Sequence, residues 1–344
     1  MQLYTSPDFV GYHPNYPVTG SHPTGGMSTK MAAVEVALNC QTVIDLKTLP
    51  EDIENEDLSE DLIVEPLAIK APRNVPEELE QGGDWDNLRG IERERIEEVA
   101  AYPGRKILLC SEMEILRWPG QMRMDVVAAV DEKVFASCYY QQTLMSAVGI
   151  QSDVIYEPIN EYLYYPGVKK QRQVVAIGSV KHIKNIEMIV EVFQKLEGTD
   201  FHRVYIGSPN VWGGKVHRQR ELARDLEIYD ALLDVCDEHH DASPGTFVAQ
   251  VLSESEFYLN FAYHEVCCRT AMEALMAGCG VIGGQHPLWQ EYPALAHVES
   301  ADACLTALEK HTGDESIAGD MRTWAVKNFG FARFQKQIQE VFEE

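Results

Sequence analysis

The sequence is short of the features that would place it in several common classes. It has no Cys-x-x-Cys pair and no Cys/His spacing of the zinc-site kind. Its eight cysteines stand apart at 40, 110, 138, 236, 267, 268, 279 and 304, and the one neighbouring pair, Cys267 and Cys268, would close a strained ring. Reduced thiols, and with them a cytoplasmic location, are the expectation. No apolar run approaches the length that crosses a bilayer, so no integral membrane segment is expected. The opening "MQLYTSPDFVGYHPNYP" has neither a basic n-region nor an apolar h-region and does not read as a signal peptide. No fixed-period repeat is visible.

Positive charge is also scarce. Lys and Arg number 29 against 54 Asp and Glu, a formal net charge of −25. The excess is concentrated, with 17 acidic against 5 basic residues between Glu51 and Ala100. Such a face repels nucleic acid and anionic lipid. A solvated acidic surface explains it before a basic partner does.

What is present is an ordinary apolar fraction of 45% and enough chain for two cores. Short β-branched runs alternate with amphipathic stretches. In the first half, "GGMSTKMAAVEVALNC" (25–40) reads as a glycine turn opening a helix, "QTVIDL" (41–46) and "RKILLCSE" (105–112) as strands, and 87–102 as a helix. "DEKVFASCYYQQTLMSAVGI" (131–150) reads as a strand, Ser137, a helix and a stop at Gly149. A polar, aromatic, proline-bounded stretch (157–173) reads as a linker, after which the pattern restarts. "VVAIGS" (174–179), "HRVYIGS" (202–208), "SEFYLNFA" (255–262) and "GVIGG" (280–284) are strands. Helices are expected over 185–198, 217–226, near 244–254, over 269–278, and at the C-terminal end. This alternation predicts parallel sheets with right-handed crossovers. The expected fold is α/β, with two Rossmann-like domains facing a cleft. They divide as 1–160 and 161–344, and the last helix is a candidate to cross back to the first.

In such units ligands sit beyond the carboxyl ends of the strands, at helix N-termini. Glu265 follows a strand there, and Glu273 lies one turn into the next helix. The N–H groups near Cys268, Arg269 and Thr270, with the helix dipole, favour a phosphate. Two carboxylates around an anion site suit a diphosphate carried between two polyols, as in a nucleotide-sugar. The plainer alternative is a helix-start acid and a loop residue. "GSVKHIKN" (178–185) places Gly178, Ser179, Lys181 and Lys184 at the same edge, where lysine neutralises a leaving diphosphate without a metal. Solvated loop lysines are the alternative. "WGGKVHRQRE" (212–221) is basic, and a solvated helix start explains it first. His239, His240 and Asp241 are adjacent, and adjacent side chains on an extended segment point to opposite faces, which makes a poor metal site.

From Asp131 onward the chain resembles the retaining GT-B glycosyltransferases of the "glycosyl transferases group 1" family. The resemblance rests on "VFASCYYQQTLMSAVGIQSDVIYEPINEYLYYP", on "VVAIGSVKHIKNIEMIVEVFQKL" and on the E-x7-E signature in "FYLNFAYHEVCCRTAMEALMAGCGVIGG". It covers about the last 215 residues well and the first 130 loosely. Glu291 falls where the family often carries a further glutamate.

The resemblance implies GT-B architecture and metal-independent transfer of a sugar, with retained configuration, from a nucleoside-diphosphate sugar to a hydroxyl acceptor. No cofactor beyond that donor is implied. Glu265 would contact the donor sugar, Glu273 the ribose and Lys184 the diphosphate. Gly25 and Gly26 fall at the family's N-domain glycine loop, for which an ordinary helix-start turn is the alternative. Three departures stand out: Ser179 replaces the usual Arg, Val-Cys-Cys replaces Gly-Phe-Gly, and the N-domain histidine has no clear counterpart. Ser111 and Glu112 are the nearest candidates for its place, with a capping or core-edge role as the alternative. Acidity points to a soluble glycan, protein or small-molecule acceptor over lipid; hydroxymethylated DNA bases, as in phage enzymes, stay an alternative acceptor by fold analogy, with acidity arguing mildly against them. An epimerase, a phosphorylase or a non-catalytic binding subunit on the same architecture are the competing readings.

Overall fold

The structure, a computed structural model, describes residues 2–5, 43–45, 62–64, 96–97, 99–102, 104–110, 133–166, 169–209, 216–241, 245–263, 265 and 267–343. Among these, the residues up to Pro158 together with those from Phe334 onward form one compact unit, and Ile159–Arg333 form another.

The first unit carries β1 (Gln2–Thr5), β2 (Val43–Asp45), β3 (Leu62–Val64), β4 (Lys106–Leu109), β5 (Lys133–Ala136) and β6 (Asp153–Val154), paired in the order β2-β1-β3-β4-β5-β6. Every pairing is parallel. Such strands are buried on both faces, so they read as short apolar runs without alternation. Helix α1 (Tyr139–Ala147) follows β5. Its cap is Cys138, whose sulfur accepts the Gln141 N–H at 3.3 Å. Ser137, where the sequence reading puts the break, sits one residue earlier. Its N–H and hydroxyl both donate to the buried Gln141 Oε1, at 2.6 and 2.9 Å.

The second unit is a parallel sheet of β7 (Gln171–Ile177), β8 (His202–Ile206), β9 (Glu238–His240), β10 (Ser255–Asn260), β11 (Gly280–Gly283) and β12 (Ala296–His297). Its order is β12-β11-β10-β7-β8-β9. Counted from β7 as the first strand this is 3-2-1-4-5-6, the doubly wound order, with β7 and β10 at the switch point. Helix α2 (Ile186–Lys195) buries Ile186, Ile189, Val190, Val192 and Phe193 at helical spacing. Each such side chain contributes about 1.5–3 kcal/mol. Further helices are α3 (Val216–Val235), α4 (Gly245–Glu254), α5 (Arg269–Met276), α6 (Ala301–His311), α7 (Ser316–Phe329) and α8 (Phe331–Glu343). Helices α3 and α6 pack beside α2, and α5 packs on α7 and α4.

The expected linker is shorter than its composition suggests, because β7 already begins at Gln171. The helix expected over 217–226 continues to Val235, taking in most of "ALLDVC". The last helix buries Phe334, Ile338 and Val341, and Arg105 of the first unit donates to the Val341 carbonyl at 3.2 Å. Among the described residues no helix is long and apolar enough to cross a membrane.

Helix α5 is held from behind by two cations. Arg322 donates to the carbonyls of Met276, Tyr164 and Glu161 at 2.8, 2.7 and 2.9 Å. Lys170 donates to those of Leu252 and Ala277 at 2.8 and 2.7 Å, and burial lowers its pKa. The last carbonyls of a helix carry its negative end, so cations there are well placed. Arg322→Ala orphans three carbonyls and is expected to cost about 2–4 kcal/mol of stability, read by urea unfolding. Arg322→Lys, which loses the planar fork, should restore only part of it.

Candidate functional site

Two loops meet at the carboxyl ends of β7 and β10. The first leaves β7 through Gly178, passes Ser179 and Lys181, and makes one 3-10 turn at His182–Lys184. It ends on Asn185, which takes left-handed backbone angles of φ 52° and ψ 49°. Asparagine is one of the few non-glycine residues that adopts this region readily. The second loop leaves β10 through the buried Phe261 and Ala262 and leads to Glu265 and α5. The Tyr263 N–H donates to the Ile183 carbonyl at 2.9 Å and ties the two loops together.

Side chains from these loops form two ion pairs. Lys184 Nζ bonds Glu265 Oε2, with the side chains 26% and 13% exposed. Arg269 Nε donates to Glu273 Oε1 at 2.9 Å, with only 8% of the glutamate side chain exposed. The structure therefore brings Lys184 and Glu265 together, and Arg269 and Glu273 together one turn into α5. Ser179 and Lys181 lie on the same loop as Lys184, both partly exposed. Gly178, Lys184, Tyr205, Asn260 and Phe261 line one small pocket at this edge.

Arg269 runs against local helix preference. It stands in the first turn, at the positive end of the dipole, and N-terminal to its i+4 acid, the weaker of the two orders. No side chain caps α5, and its first turn carries no acid. Lys184 and Arg269 are each balanced by their glutamates, so the unoffset positive charge at this edge is the helix end itself.

Behind the helix start lies a buried polar network that the sequence reading misses. The hydroxyls of Tyr258 and Thr270 are 2.6 Å apart, and Asn260 Nδ2 donates to Tyr258 Oη at 3.2 Å and to Cys268 Sγ at 3.1 Å. Asn260 Oδ1 accepts the Ala262 N–H at 3.0 Å. The network fixes both ends of the loop that carries Glu265. It also commits the Thr270 hydroxyl to the interior, so any part of Thr270 in anion binding falls to its backbone. Burial, with the charge of Glu265 second, pushes the Cys268 thiol up to about 11 and keeps it a neutral hydrogen-bonding group. Cys268 has φ −81°, an ordinary value, so the glycine freedom absent from Val-Cys-Cys is not needed at this position.

Glu112, Ser111, Gly25 and Gly26 lie outside the described residues. His239 faces inward, stacked on Tyr205 and with Nε2 2.9 Å from the Gly207 carbonyl oxygen, while His240 pairs with Glu238. Among the described residues no group of three or more His, Cys, Asp or Glu is placed to hold a metal.

No protein-family model matches the chain, and no curated protein matches it in sequence. Solved structures do match. Sucrose-phosphate synthase from Thermosynechococcus elongatus superposes with a TM-score of 0.64 at 13% identity, over 100% of this chain and 98% of the other. HepE from Anabaena, in complex with UDP, gives 0.64 at 12%, over 99% of both. A glycosyltransferase from Rickettsia africae gives 0.58 at 14%, over 99% and 97%. At these identities the likeness shows the fold, which is the two-unit α/β architecture of GT-B glycosyltransferases.

Proposed function

We propose that this chain is a glycosyltransferase that moves a sugar from a nucleoside-diphosphate donor to a hydroxyl acceptor, with retained configuration and without a metal. The observation that carries the reading is the pairing of Lys184 with Glu265 at the switch point of a doubly wound sheet, with Glu273 one turn into the helix that follows Glu265. That is where the fold class binds nucleotides. The HepE structures hold UDP and UDP-glucose, which supports the same class of donor here.

In this reading the bond from the anomeric carbon to the β-phosphate oxygen breaks with its electron pair on the diphosphate. The acceptor oxygen forms the new bond, and its proton ends on the leaving diphosphate or on water. Negative charge grows on the diphosphate, and Lys184, Lys181, Arg269 and the first N–H groups of α5 stabilise it. Ser179 supplies no charge, and Arg269 supplies from the helix start what an arginine after the strand would. Glu265 orients the sugar hydroxyls and Glu273 accepts from the ribose. An acceptor without negative charge suits a chain with a net charge of −25.

The test is a thermal-shift screen with UDP, GDP, ADP and the sugars UDP-glucose, GDP-mannose and ADP-glucose. A donor at 100 times its Kd adds about 2.7 kcal/mol to the native state. At least one of them should raise the melting temperature. A flat screen with all six overturns the donor site.

A further inference from the structure

Beside the ion pair stands an aromatic surface that no step of the proposed transfer uses. Tyr263 is 63% exposed, although the two residues before it, Phe261 and Ala262, are each 2% exposed. Its ring lies 6.1 Å from the exposed ring of His182, with the planes tilted by 51°. Backbone geometry fixes the juxtaposition, since the Tyr263 N–H donates to Ile183 at 2.9 Å. His182 is two residues from Lys184, and Tyr263 two residues from Glu265. The loops that present the ion pair therefore also present the rings.

We propose that Tyr263, with His182 at its side, is the stacking face for a pyranose ring of the acceptor, so that the acceptor is an uncharged glycoside or glycan. The proposal rests on the donor reading above and adds the acceptor's class to it. An aromatic face is electron-rich and its edge is not. One face of a pyranose presents C–H bonds with slight positive charge, ringed by hydroxyls. The exposed Tyr263 ring, on loops that also carry Lys184 and Glu265, offers the matching pattern of an apolar centre among polar groups. A lipid tail would need a continuous apolar surface, and here Phe261 and Ala262 are buried while Lys181, Lys184 and Glu265 interrupt the loops. Tyrosine orders at small entropic cost, since only two side-chain torsions are fixed. Stacking on a ring face reads the C–H face of a sugar and not its individual hydroxyls, so the contact selects for a ring and not for a particular sugar.

The experiment uses the full chain and the nucleotide-sugar among UDP-glucose, GDP-mannose and ADP-glucose that stabilises the wild type. Transfer is measured to methyl α-D-glucopyranoside and maltose as ring acceptors and to glycerol as an acyclic one. The wild type should favour the ring acceptors at least tenfold over glycerol. Tyr263→Ala should raise the ring-acceptor KM at least tenfold, about 1.4 kcal/mol, and erase that preference. Donor Kd by calorimetry should stay within twofold, and the melting temperature should not shift, since the side chain is exposed. Tyr263→Phe should behave as wild type, and His182→Ala should fall between. An unchanged KM in Tyr263→Ala overturns the proposal. So does a weakened donor Kd with an unmoved acceptor KM, or a wild type that uses glycerol as well as the glycosides or uses neither glycoside. A wild type that binds none of the three donors overturns the donor reading itself, a result separate from all of these.

Discussion

Lys184→Ala and Glu265→Ala are each expected to cut turnover by roughly 10²–10³, about 3–4 kcal/mol of transition-state stabilisation, while the chain stays folded. The two side chains sit in loops at the sheet edge and keep 26% and 13% of their surface exposed, so losing the pair leaves a partner that water can still reach. A lysine at a departing diphosphate matters most when charge builds on it, and its loss should fall on kcat more than on KM. Glu265 acts on the sugar, so Glu265→Gln, which can still accept and donate hydrogen bonds, should recover part of the activity that alanine loses. The pair also sets an order of events. Lys184 is already engaged by Glu265, and an incoming diphosphate must take over that cation. The Glu265→Ala protein should therefore bind a bare nucleoside diphosphate at least as tightly as wild type while failing to transfer sugar. Release of nucleoside diphosphate in a coupled assay, beside melting curves for both variants, provides the check. Wild-type turnover in both would remove these residues from the site.

Much of this site can be read along the chain because its parts are local. The strand-glycine-lysine run of 174–184 and the two glutamates spaced by seven residues are each contiguous, and both fall where the strands end. What is not local is hidden. No window of sequence shows that β7 and β10 are neighbours, because the strand order depends on pairings between distant segments. β6 and β12 have two residues each and are too short to leave a period. The strand at Glu238–His240 looks like a polar metal motif, yet it is an edge strand whose histidines satisfy Gly207 and Glu238. The Cys138 cap loses to Ser137 on propensity alone, since sulfur is an uncommon cap. The Val-Cys-Cys departure looks like a loss of backbone freedom until the angles at Cys268 and its bond from Asn260 are in view. A local signal of the pairing between β7 and β8 does exist: Ile-Gly-Ser closes both, at 177–179 and 206–208, with the strands ending at the two isoleucines.

That repeated tripeptide marks a close approach, and Gly207→Ala is expected to be the most damaging single methyl in the second unit. In register Ile177 lies beside Ile206, so the two glycines leave the sheet side by side. Gly178 N–H donates to the Ile206 carbonyl at 2.9 Å, and the Tyr205 hydroxyl donates to the Gly178 carbonyl at 2.7 Å. A Cβ on Gly207 would fall inside that same Gly178 oxygen and 2.8 Å from its carbon, and the backbone φ of 147° is itself unfavourable for alanine. Neither atom belongs to a side chain that can swing away. The strain and the forced shift of β7's end together cost roughly 2–6 kcal/mol. Gly198→Ala separates the two causes. Gly198 has φ 75° in a turn with nothing within 4 Å of its would-be Cβ, so it carries strain without collision and should cost about 1–2 kcal/mol. The shift in Gly207→Ala also moves Gly178, from which the Lys184 loop departs, so donor-induced stabilisation should fall with it and remain intact in Gly198→Ala. Urea unfolding with and without the nucleotide-sugar measures both effects. Equal losses in the two variants would mean that the glycine at 207 serves its turn alone and not the contact between β7 and β8.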